Sequence, residues 1–460
     1  MSVPTVPQSS MSVRPQPGPT RDYRFPAFER RHLSNGIELV VAPVTKLPIA
    51  TVYVLLDAGA LTEPAGKGGV AHVTAQAITE GTARQDGEAL TAGLEQLGTS
   101  IDASADWDAT VLSLTVLADK LPTAFGYVAD VLTTPTFPEK SVERIKADRL
   151  AEILQVEAEP RALADEMFES FVYTEESRFS TPIGGMKASV AALTREDVVR
   201  FHASRYRPEG TTIIIVGDVT VDGAESLVWD ALHHWHGRAD RVTPVDDRPA
   251  RATRAVQIVH KGDAPQSELR IGHVGVPRTH PDYFKLTVMN AVLGGLFSSR
   301  INLNLREAHG YTYGAHSEFD WRKAAGPFLV STAVASDVTA PAITETLHEI
   351  DRMLRDQISD SELSLATSYL DGVFPIRYET TAAIAAALAT LVLYGLPEDW
   401  YDAYREKVRA VTTNDVLEAM QAHVRSESLQ IVVVGDAGAI QGPIDALGFG
   451  PITVREGSNV

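Results

Sequence analysis

Two stretches of the chain repeat the same pattern of polar and apolar positions. Residues 193–219 read LTREDVVRFHASRYRPEGTTIIIVGDV, and residues 411–437, which begin 218 positions later, read VTTNDVLEAMQAHVRSESLQIVVVGDA. In each copy a Thr followed by an Asp three residues later predicts a capped helix start, and apolar residues at helical spacing follow. Each copy then enters a run of β-branched residues closed by Gly-Asp, typical of a strand covered on at least one face by helices. The pattern therefore predicts two copies of one helix–strand unit.

Polar residues without periodicity separate the two copies. The segment 236–252 reads HGRADRVTPVDDRPARA, which is typical of a linker because it contains two prolines and no apolar pattern. We therefore expect two homologous domains of similar size, at residues 25–235 and 253–455. The first 24 residues are rich in Pro, Ser and Thr, and we expect a disordered tail there.

The order of elements within the first domain indicates the fold class. We expect a strand at 49–56, a strand pair around 101–104 and 110–117, and a helix at about 70–80 that the turn Gly66–Gly69 opens. A long helical pattern continues to about residue 170. This mixture predicts an α+β fold with two α/β sandwich domains in tandem, each a mixed antiparallel sheet flanked by helices.

Composition narrows the classes of function. The 460 residues include no Cys, which excludes disulfides, thiolate nucleophiles and Cys-ligated metals. The formal net charge of −19 argues against a nucleic-acid surface and against an anionic membrane as partner. The longest apolar run, 382–394, is shorter than the roughly 20 residues of a membrane span. The first residues have no apolar core of a secretory signal, so we expect a cytoplasmic protein.

One predicted helix carries part of a metal-binding pattern. The segment 68–82 reads GGVAHVTAQAITEGT, and a zinc peptidase helix would need two His four residues apart with a Glu between them as general base. Only His72 is present, because the base position is Ala75 and the second ligand position is Gln76. No two histidines in the chain are four residues apart, so the pair has no alternative copy.

The chain resembles the pitrilysin or insulinase family of zinc peptidases, family M16, from about residue 27 to 455. Active members carry an inverted His-x-x-Glu-His motif after a Gly-rich turn, where this sequence has 68–82. The other motifs that carry the resemblance, in chain order, are Pro182-Ile-Gly184, Leu193-Thr-Arg-Glu-Asp197, Tyr206 to Pro208, Val216-Gly-Asp218, Gly294-Gly295 through Ser299-Arg300, and Leu305-Arg306-Glu307 to Tyr313. The length and the two repeated domains resemble the short, dimeric members of the family.

The resemblance implies which residues would have held zinc. Glu152 lies 76 residues after Gln76 and matches the position of the third zinc ligand of the family. The supporting acidic residue falls at Ile145 and is therefore lost. One imidazole and one carboxylate make a poor zinc site, since zinc takes three or four strong donors. We expect no metal and no other cofactor in this chain.

A second constellation lies in the segment 294–316, which reads GGLFSSRINLNLREAHGYTYGAH. The resemblance implies that Arg306 and Tyr313 are the pair that reaches across to the zinc-bearing domain and binds the substrate main chain and the oxyanion. A guanidinium and a phenol are donors suited to a developing carbonyl charge. Arg300 is interpreted as a structural salt-bridge partner.

These observations predict a non-catalytic, substrate-binding subunit of a heterodimeric M16 peptidase. The zinc and the intact His-x-x-Glu-His motif would be supplied by a partner chain, and extended peptides would bind by strand addition in a chamber between the two chains. One alternative is a structural or assembly protein like the family-related core subunits of respiratory complexes. Another is a metallopeptidase with an atypical site built on His72, Glu152 and water.

Overall fold

A computed structural model describes residues 22–262 and 264–457. Most of the predicted tail at 1–24 lies outside the described residues. The first half contains six strands and eight helices in the described part: β1 (Glu29–His32), β2 (Glu38–Pro43), β3 (Ile49–Leu56), α1 (Val70–Ala77), α2 (Gly87–Gln96), β4 (Asp102–Ala105), β5 (Thr110–Leu117), α3 (Leu121–Thr133), α4 (Glu139–Ala158), α5 (Pro160–Val172), α6 (Lys187–Ala191), α7 (Arg195–Arg205), β6 (Thr211–Gly217) and α8 (Val221–Leu232).

The second half repeats this count within the described residues. Its elements are β7 (Ala255–His260), β8 (Gln266–Val274), α9 (Tyr283–Asn290), the short α10 (Arg300–Asn302), β9 (Ala315–Phe319), β10 (Pro327–Ala335), α11 (Thr339–Arg355), α12 (Asp360–Arg377), α13 (Thr381–Leu393), α14 (Trp400–Arg409), α15 (Thr413–His423), β11 (Gln430–Gly435), α16 (Ala437–Asp445) and β12 (Ile452–Glu456).

The two halves build the same sheet. The strand orders are β1-β2-β6-β3-β5-β4 and β12-β7-β11-β8-β10-β9, so the five strands that follow the first in each order correspond one to one. In both sheets the strand of the repeat, β6 or β11, runs parallel to one neighbour and antiparallel to the other. The prediction of two α+β sandwich domains with mixed sheets is confirmed.

The sequence repeat is reproduced almost residue for residue. Helix α7 spans 195–205 and α15 spans 413–423, the same positions at the 218-residue offset. Each begins with the predicted reciprocal cap, in which the Thr hydroxyl accepts from the Asp backbone N–H and the Asp carboxylate accepts from the Thr. Every residue of β6 is buried, as expected for a strand covered on both faces.

Each sheet is covered in part by a helix from the other half. Helix α5 packs on β8 and β11 of the second sheet, and α13 packs on β3 and β6 of the first. The hydroxyls of Thr51 on β3 and Thr381 on α13 share a buried hydrogen bond of 2.8 Å. The predicted domain boundaries stay a prediction, but two of the three apolar core clusters combine residues of both halves.

One loop of the second half, 320–326, is held by the first half. The Arg322 guanidinium donates to Glu169 and to Asp320 and stacks over Trp107 at 4.6 Å and Phe179 at 4.5 Å. The Arg322 side chain is only 2% exposed. Within the same loop, the backbone N–H of Lys323 donates to Asp108 at 2.8 Å. The loop is therefore part of the interior between the halves.

No single helix in the described ranges is long and apolar enough to cross a membrane. Helices α12 and α13 reach the required length and composition only as a pair, and they are bent by 114° relative to each other. The expected cytoplasmic location stays a prediction.

The exchanged helices lead to a prediction about stability. Phe168 on α5 is 1% exposed and lies so close to Gly272 on β8 that a Cβ there would be 3.0 Å from its ring. We expect Phe168→Ala to lower the free energy of unfolding by about 3–5 kcal/mol, because it leaves a cavity at the contact between α5 and the second sheet. Leu365→Ala, at a side chain that is 49% exposed, should cost under about 0.5 kcal/mol.

Denaturant unfolding followed by tryptophan fluorescence measures both variants. Equal stability of Phe168→Ala and Leu365→Ala would show that the packing of α5 on the second sheet contributes little.

Candidate functional site

Helix α1 begins at a turn that only glycine adopts easily. Gly69, the N-cap, has φ of 93°, in the left-handed region. The Glu63 carboxylate accepts from the backbone N–H groups of Gly69 at 2.9 Å and Ala71 at 3.0 Å, and Arg178 donates to its other oxygen at 2.8 Å. Burial raises the pKa of Glu63, while Arg178 and the helix N–H groups oppose this. A buried ion pair therefore anchors the start of the helix that carries His72.

The three predicted positions on α1 lie in different environments. His72 is half-buried, and its pKa is lowered first by burial and then by the positive charge of Arg149. Ala75 is 1% exposed and offers no proton acceptor. Gln76 is exposed, and its amide donates to the carbonyl of Ala103 on the edge strand β4 at 3.2 Å. Burial and Arg149 thus disfavour the protonated form of His72, and Glu152 opposes this lowering of its pKa.

A guanidinium lies beside His72. Arg149 on α4 donates to the carbonyl of Gly184 at 3.1 Å and to Glu152 at 3.2 Å, and its side chain is 11% exposed. A Cβ at Gly184 would come within 2.5 Å of the Arg149 Nε, so a larger residue there would displace the guanidinium. The residue that the family motif would use as third zinc ligand is therefore paired with a fixed positive charge.

The remaining residues do not fit a zinc ion either. Ile145 is 6% exposed and packs in the apolar core of the first half, where the resemblance implies an acidic residue. Within the described residues, His72 and Glu152 belong to no group of three or more His, Asp or Glu with ligand atoms within 4.8 Å of one another. A neighbouring guanidinium opposes a divalent cation. That this site holds no metal stays a prediction, and this donor set supports it.

A trough runs along the junction of the halves. A cavity of about 760 Å³ is lined by Arg149, Gly184 and residues of the 318–322 segment. A second cavity, of about 400 Å³, is lined by Tyr313 and residues of β8 and β10. Both are also lined by Asp165, Glu318 and Leu329. We call this continuous depression the trough.

The structure places Tyr313 and Arg306 differently. Tyr313 is 95% exposed and lines the trough. Arg306 is 34% exposed and lies over the ring of Phe297 at 4.4 Å, with Glu307 at 3.6 Å, and it does not line either described cavity. It lies in a π-helical turn at 303–308, a geometry that is frequent at functional sites. The structure therefore brings only the Tyr to the trough.

Arg300 has the role that the sequence predicts. Its guanidinium donates to both carboxylate oxygens of Glu362, the N3 residue of α12, at 2.6 and 3.0 Å. Glu362 also accepts from Ser359 in a capping box. Arg300 first, then this cap, lowers the pKa of Glu362 to about 2.

Three residues of the site are not foreseen from the sequence. Glu63 and Arg178 are 115 positions apart, and Arg149 lies three residues before a recognised motif position. Only Arg149 carried a usable signal, since a residue at i−3 on a helix shares a face with Glu152.

Comparison with known proteins agrees with this architecture. The model of the insulinase family (peptidase family M16) matches residues 39–182, and the model of the peptidase M16 inactive domain matches residues 192–370. The crystal structure of a peptidase M16 inactive domain from Pseudomonas fluorescens superposes with a TM-score of 0.83 at 25% identity, over 89% of this chain and 98% of that one.

Two relatives cover most of the chain. An uncharacterized zinc protease of Mycobacterium tuberculosis is 25% identical over 419 residues, which are 90% of this chain and 94% of its own. A Helicobacter pylori protein named a non-peptidase homolog is 21% identical over 398 residues, 85% of this chain and 90% of its own. The fold is thus the two-domain pitrilysin-like fold. The chain belongs to the M16 family, as a homologue without the His-x-x-Glu-His motif.

Rebuilding the zinc ligands tests the role of Arg149. We expect the double variant Ala75→Glu with Gln76→His to bind zinc weakly, and the addition of Arg149→Met to tighten binding about tenfold or more, because a unit positive charge is removed from the neighbourhood of the ion. Isothermal titration with Zn²⁺ measures the affinity.

The matched control adds Arg144→Met, which removes a 54% exposed guanidinium from the same helix. If this control tightened zinc binding as much as Arg149→Met, the specific place of Arg149 beside the ligands would be refuted.

The Arg300–Glu362 pair predicts a dependence of stability on pH. The depressed pKa of Glu362 means that its stabilisation is present above the ordinary carboxyl pKa of about 4.3 and is lost as pH falls toward 2. We expect Glu362→Gln to lower the free energy of unfolding by about 1 kcal/mol at pH 7, since the pair is partly exposed. The difference from wild type should shrink between pH 5 and pH 2.

Urea unfolding across this pH range, with the exposed Glu379→Gln as control, measures the effect. A difference that does not change with pH would mean that the Glu362 charge is not what stabilises the start of α12.

Proposed function

We propose that this chain is a non-catalytic, substrate-binding subunit of a heterodimeric M16 zinc peptidase that acts on extended peptides. The observation that carries the proposal is the contrast between two sites. At the position of the zinc site, Ala75 and Gln76 replace the general base and the second ligand, and Arg149 pairs with the third ligand position, Glu152. Tyr313, in contrast, remains exposed on the trough. In this proposal the zinc and the general base belong to the partner chain.

Helix α1 lacks groups that make large contributions to catalysis in a zinc peptidase. General acid–base catalysis contributes about 10²–10⁴-fold to a rate, and Ala75 cannot supply it. A zinc ion that polarises a carbonyl would find only the His72 imidazole and the Glu152 carboxylate as ligands here, and Glu152 is paired with Arg149. Loss of the base, the second ligand and the supporting acid together argues for no turnover by this chain alone.

The trough suits an extended peptide. Strand β9, whose residue Glu318 lines both cavities, is one edge of the second sheet, and β4 is one edge of the first. An edge strand presents unpaired backbone groups to which an extended peptide adds as a further strand. Along β9, burial alternates strictly, so His316 and Glu318 face outward. Specificity in this mode comes from such alternate side chains.

Two of the relatives described above bear names consistent with loss of activity in part of the family. One is named a zinc protease and the other a non-peptidase homolog, at similar identity to this chain. Neither name assigns a partner or a substrate to this chain, so both remain part of the proposal.

The proposal predicts that Arg306 and Tyr313 matter only in the complex. The chain is mixed with an M16 chain of the same cell that has an intact His-x-x-Glu-His motif, and cleavage of a quenched peptide is followed. We expect Tyr313→Phe and Arg306→Ala each to lower turnover about 10²–10³-fold, the usual cost of removing one oxyanion donor. His72→Ala should leave turnover nearly unchanged.

Matched controls separate these effects from general damage. Tyr369→Phe and Arg144→Ala change an exposed Tyr and an exposed Arg elsewhere, and both should leave turnover intact. The proposal is refuted by the reverse order, a severe loss with His72→Ala and none with either member of the pair. Dimer formation and thermal midpoint, measured for every variant, should barely change.

A further inference from the structure

Two imidazoles and a carboxylate converge in the second half, between the start of α9 and the end of α15. His280, Asp282 and His423 each place one ligand atom within 4.8 Å of the others, and they are the one such group of three among the residues that the structure describes. The Nε2 of His423 lies 2.7 Å from Asp282 Oδ2, and the Nδ1 of His280 lies 3.9 Å from the same oxygen. The rings of His280 and His423 meet edge to face at 4.6 Å.

The repeat shows what occupies the equivalent place in the first half. Position 423 corresponds to position 205 at the 218-residue offset, so His423 is the counterpart of Arg205. The Arg205 guanidinium, 4% exposed, donates to the carboxylate of Asp57 at 2.8 Å and to its carbonyl at 2.9 Å. The positively charged side chain of Arg205 therefore links the end of α7 to the segment that follows β3.

In the second half a carboxylate from a different position, Asp282, lies beside the helix end, and the fixed cation is replaced by His423. Asp57 directly follows β3, whereas Asp282 lies directly before α9 in the segment that follows β8, and it faces two imidazoles instead of a guanidinium. The nearby ammonium of Lys285 is held by Asp415 at 2.6 Å and by Glu418 at 3.3 Å. The carboxylate thus has a polar partner in His423 but no permanent positive charge of its own.

We propose that His280, Asp282 and His423 bind a divalent transition metal ion, with zinc as the expected occupant. Two imidazole nitrogens and one carboxylate oxygen are a ligand set that suits zinc and leaves a fourth position for water. The ion would lie at the C-terminal end of α15, where the helix dipole favours a cation. It would do in the second half what Arg205 does in the first.

The existing contacts define what metal binding must replace. The Asp282 side chain does not cap its own helix, and an ion bound between Asp282 and His423 replaces the 2.7 Å hydrogen bond that now joins them. The backbone N–H of Asp282 donates to His280 Nδ1 at 3.1 Å, and an ion bound through Nδ1 gives up this bond. The His423 side chain is 11% exposed, whereas those of His280 and Asp282 are 27% and 34% exposed. The site is therefore half-buried and open to solvent on one side.

The site is separate from the degenerate zinc position, because it uses α9 and α15 instead of α1 and α4. It revises the expectation that this chain holds no metal, and it does not supply a peptidase centre. Its role is to cross-link two helices.

The test uses the untagged full chain stripped with a chelator. We expect titration with Zn²⁺ alone to show about one tight site, and Co²⁺ alone to give visible absorption bands that the hydrated ion lacks. Saturating Zn²⁺ should raise the thermal midpoint by about 3 °C, since an ion that binds only the folded chain stabilises it.

The variants assign the site. His280→Ala and Asp282→Asn should each weaken Zn²⁺ binding more than about a hundredfold, because even residues that only support metal ligands cost about 10–100-fold. The midpoint of the stripped variants should stay near that of wild type, which shows that they fold. His72→Ala, and the surface double variant His234→Gln with His236→Gln, should still bind about one Zn²⁺ per chain.

Three results would overturn the proposal. The first is no Zn²⁺ or Co²⁺ binding by wild type. The second is Zn²⁺ binding that is unchanged in each of the single variants His280→Ala and Asp282→Asn. The third is binding that disappears with His72→Ala or with the surface double variant, which would assign the ion elsewhere.

Discussion

The burial of Arg322 constrains how the two halves can meet. Its guanidinium comes from the second half and ends among Trp107, Phe179 and Glu169 of the first. A buried charge without its partners is costly, because desolvation is repaid only by good hydrogen-bond geometry. This contact therefore favours the arrangement of the halves in which Glu169 and the two aromatic rings surround the cation. Burial raises the pKa of Glu169 to about 7, with Arg322 opposing the shift, so the carboxyl depends strongly on this contact.

The trough and the exchanged helices depend on that arrangement. The loop that carries Arg322 also lines the larger cavity, together with Arg149 and Gly184. Helices α5 and α13 can cover the opposite sheets only when the halves sit in this register. Arg149, next to the place where a catalytic zinc would be expected, thus lines the larger cavity. What has changed at that place is the charge, since Arg149 now stands beside His72 and Glu152.

The sequence predicts the local features of this fold well and the distant ones poorly. The helices 195–205 and 413–423 and their Thr–Asp caps are visible because each signal lies within a few residues. The same holds for the turn that ends at Gly69, whereas the sequence indicates Arg300 as an ion-pair residue but not its partner Glu362, 62 positions away. The covering of each sheet by a helix of the other half, the Glu63–Arg178 ion pair and the burial of Arg322 against Glu169 join residues more than a hundred positions apart or in different halves. Periodicity carries no information about such pairs. The sequence shows that the zinc ligands are lost. That the Arg149 guanidinium lies in their place is seen only from the packing of α4 on α1.

The central claim is that this chain contributes to peptide cleavage without performing it. The most direct measurement is the rate of peptide cleavage as this chain is titrated into a fixed amount of an M16 chain with an intact His-x-x-Glu-His motif. The account predicts no cleavage by this chain alone and a rate that rises until the two chains are equimolar. Chelator-sensitive cleavage by this chain alone, or a rate that does not respond to its addition, would contradict the account.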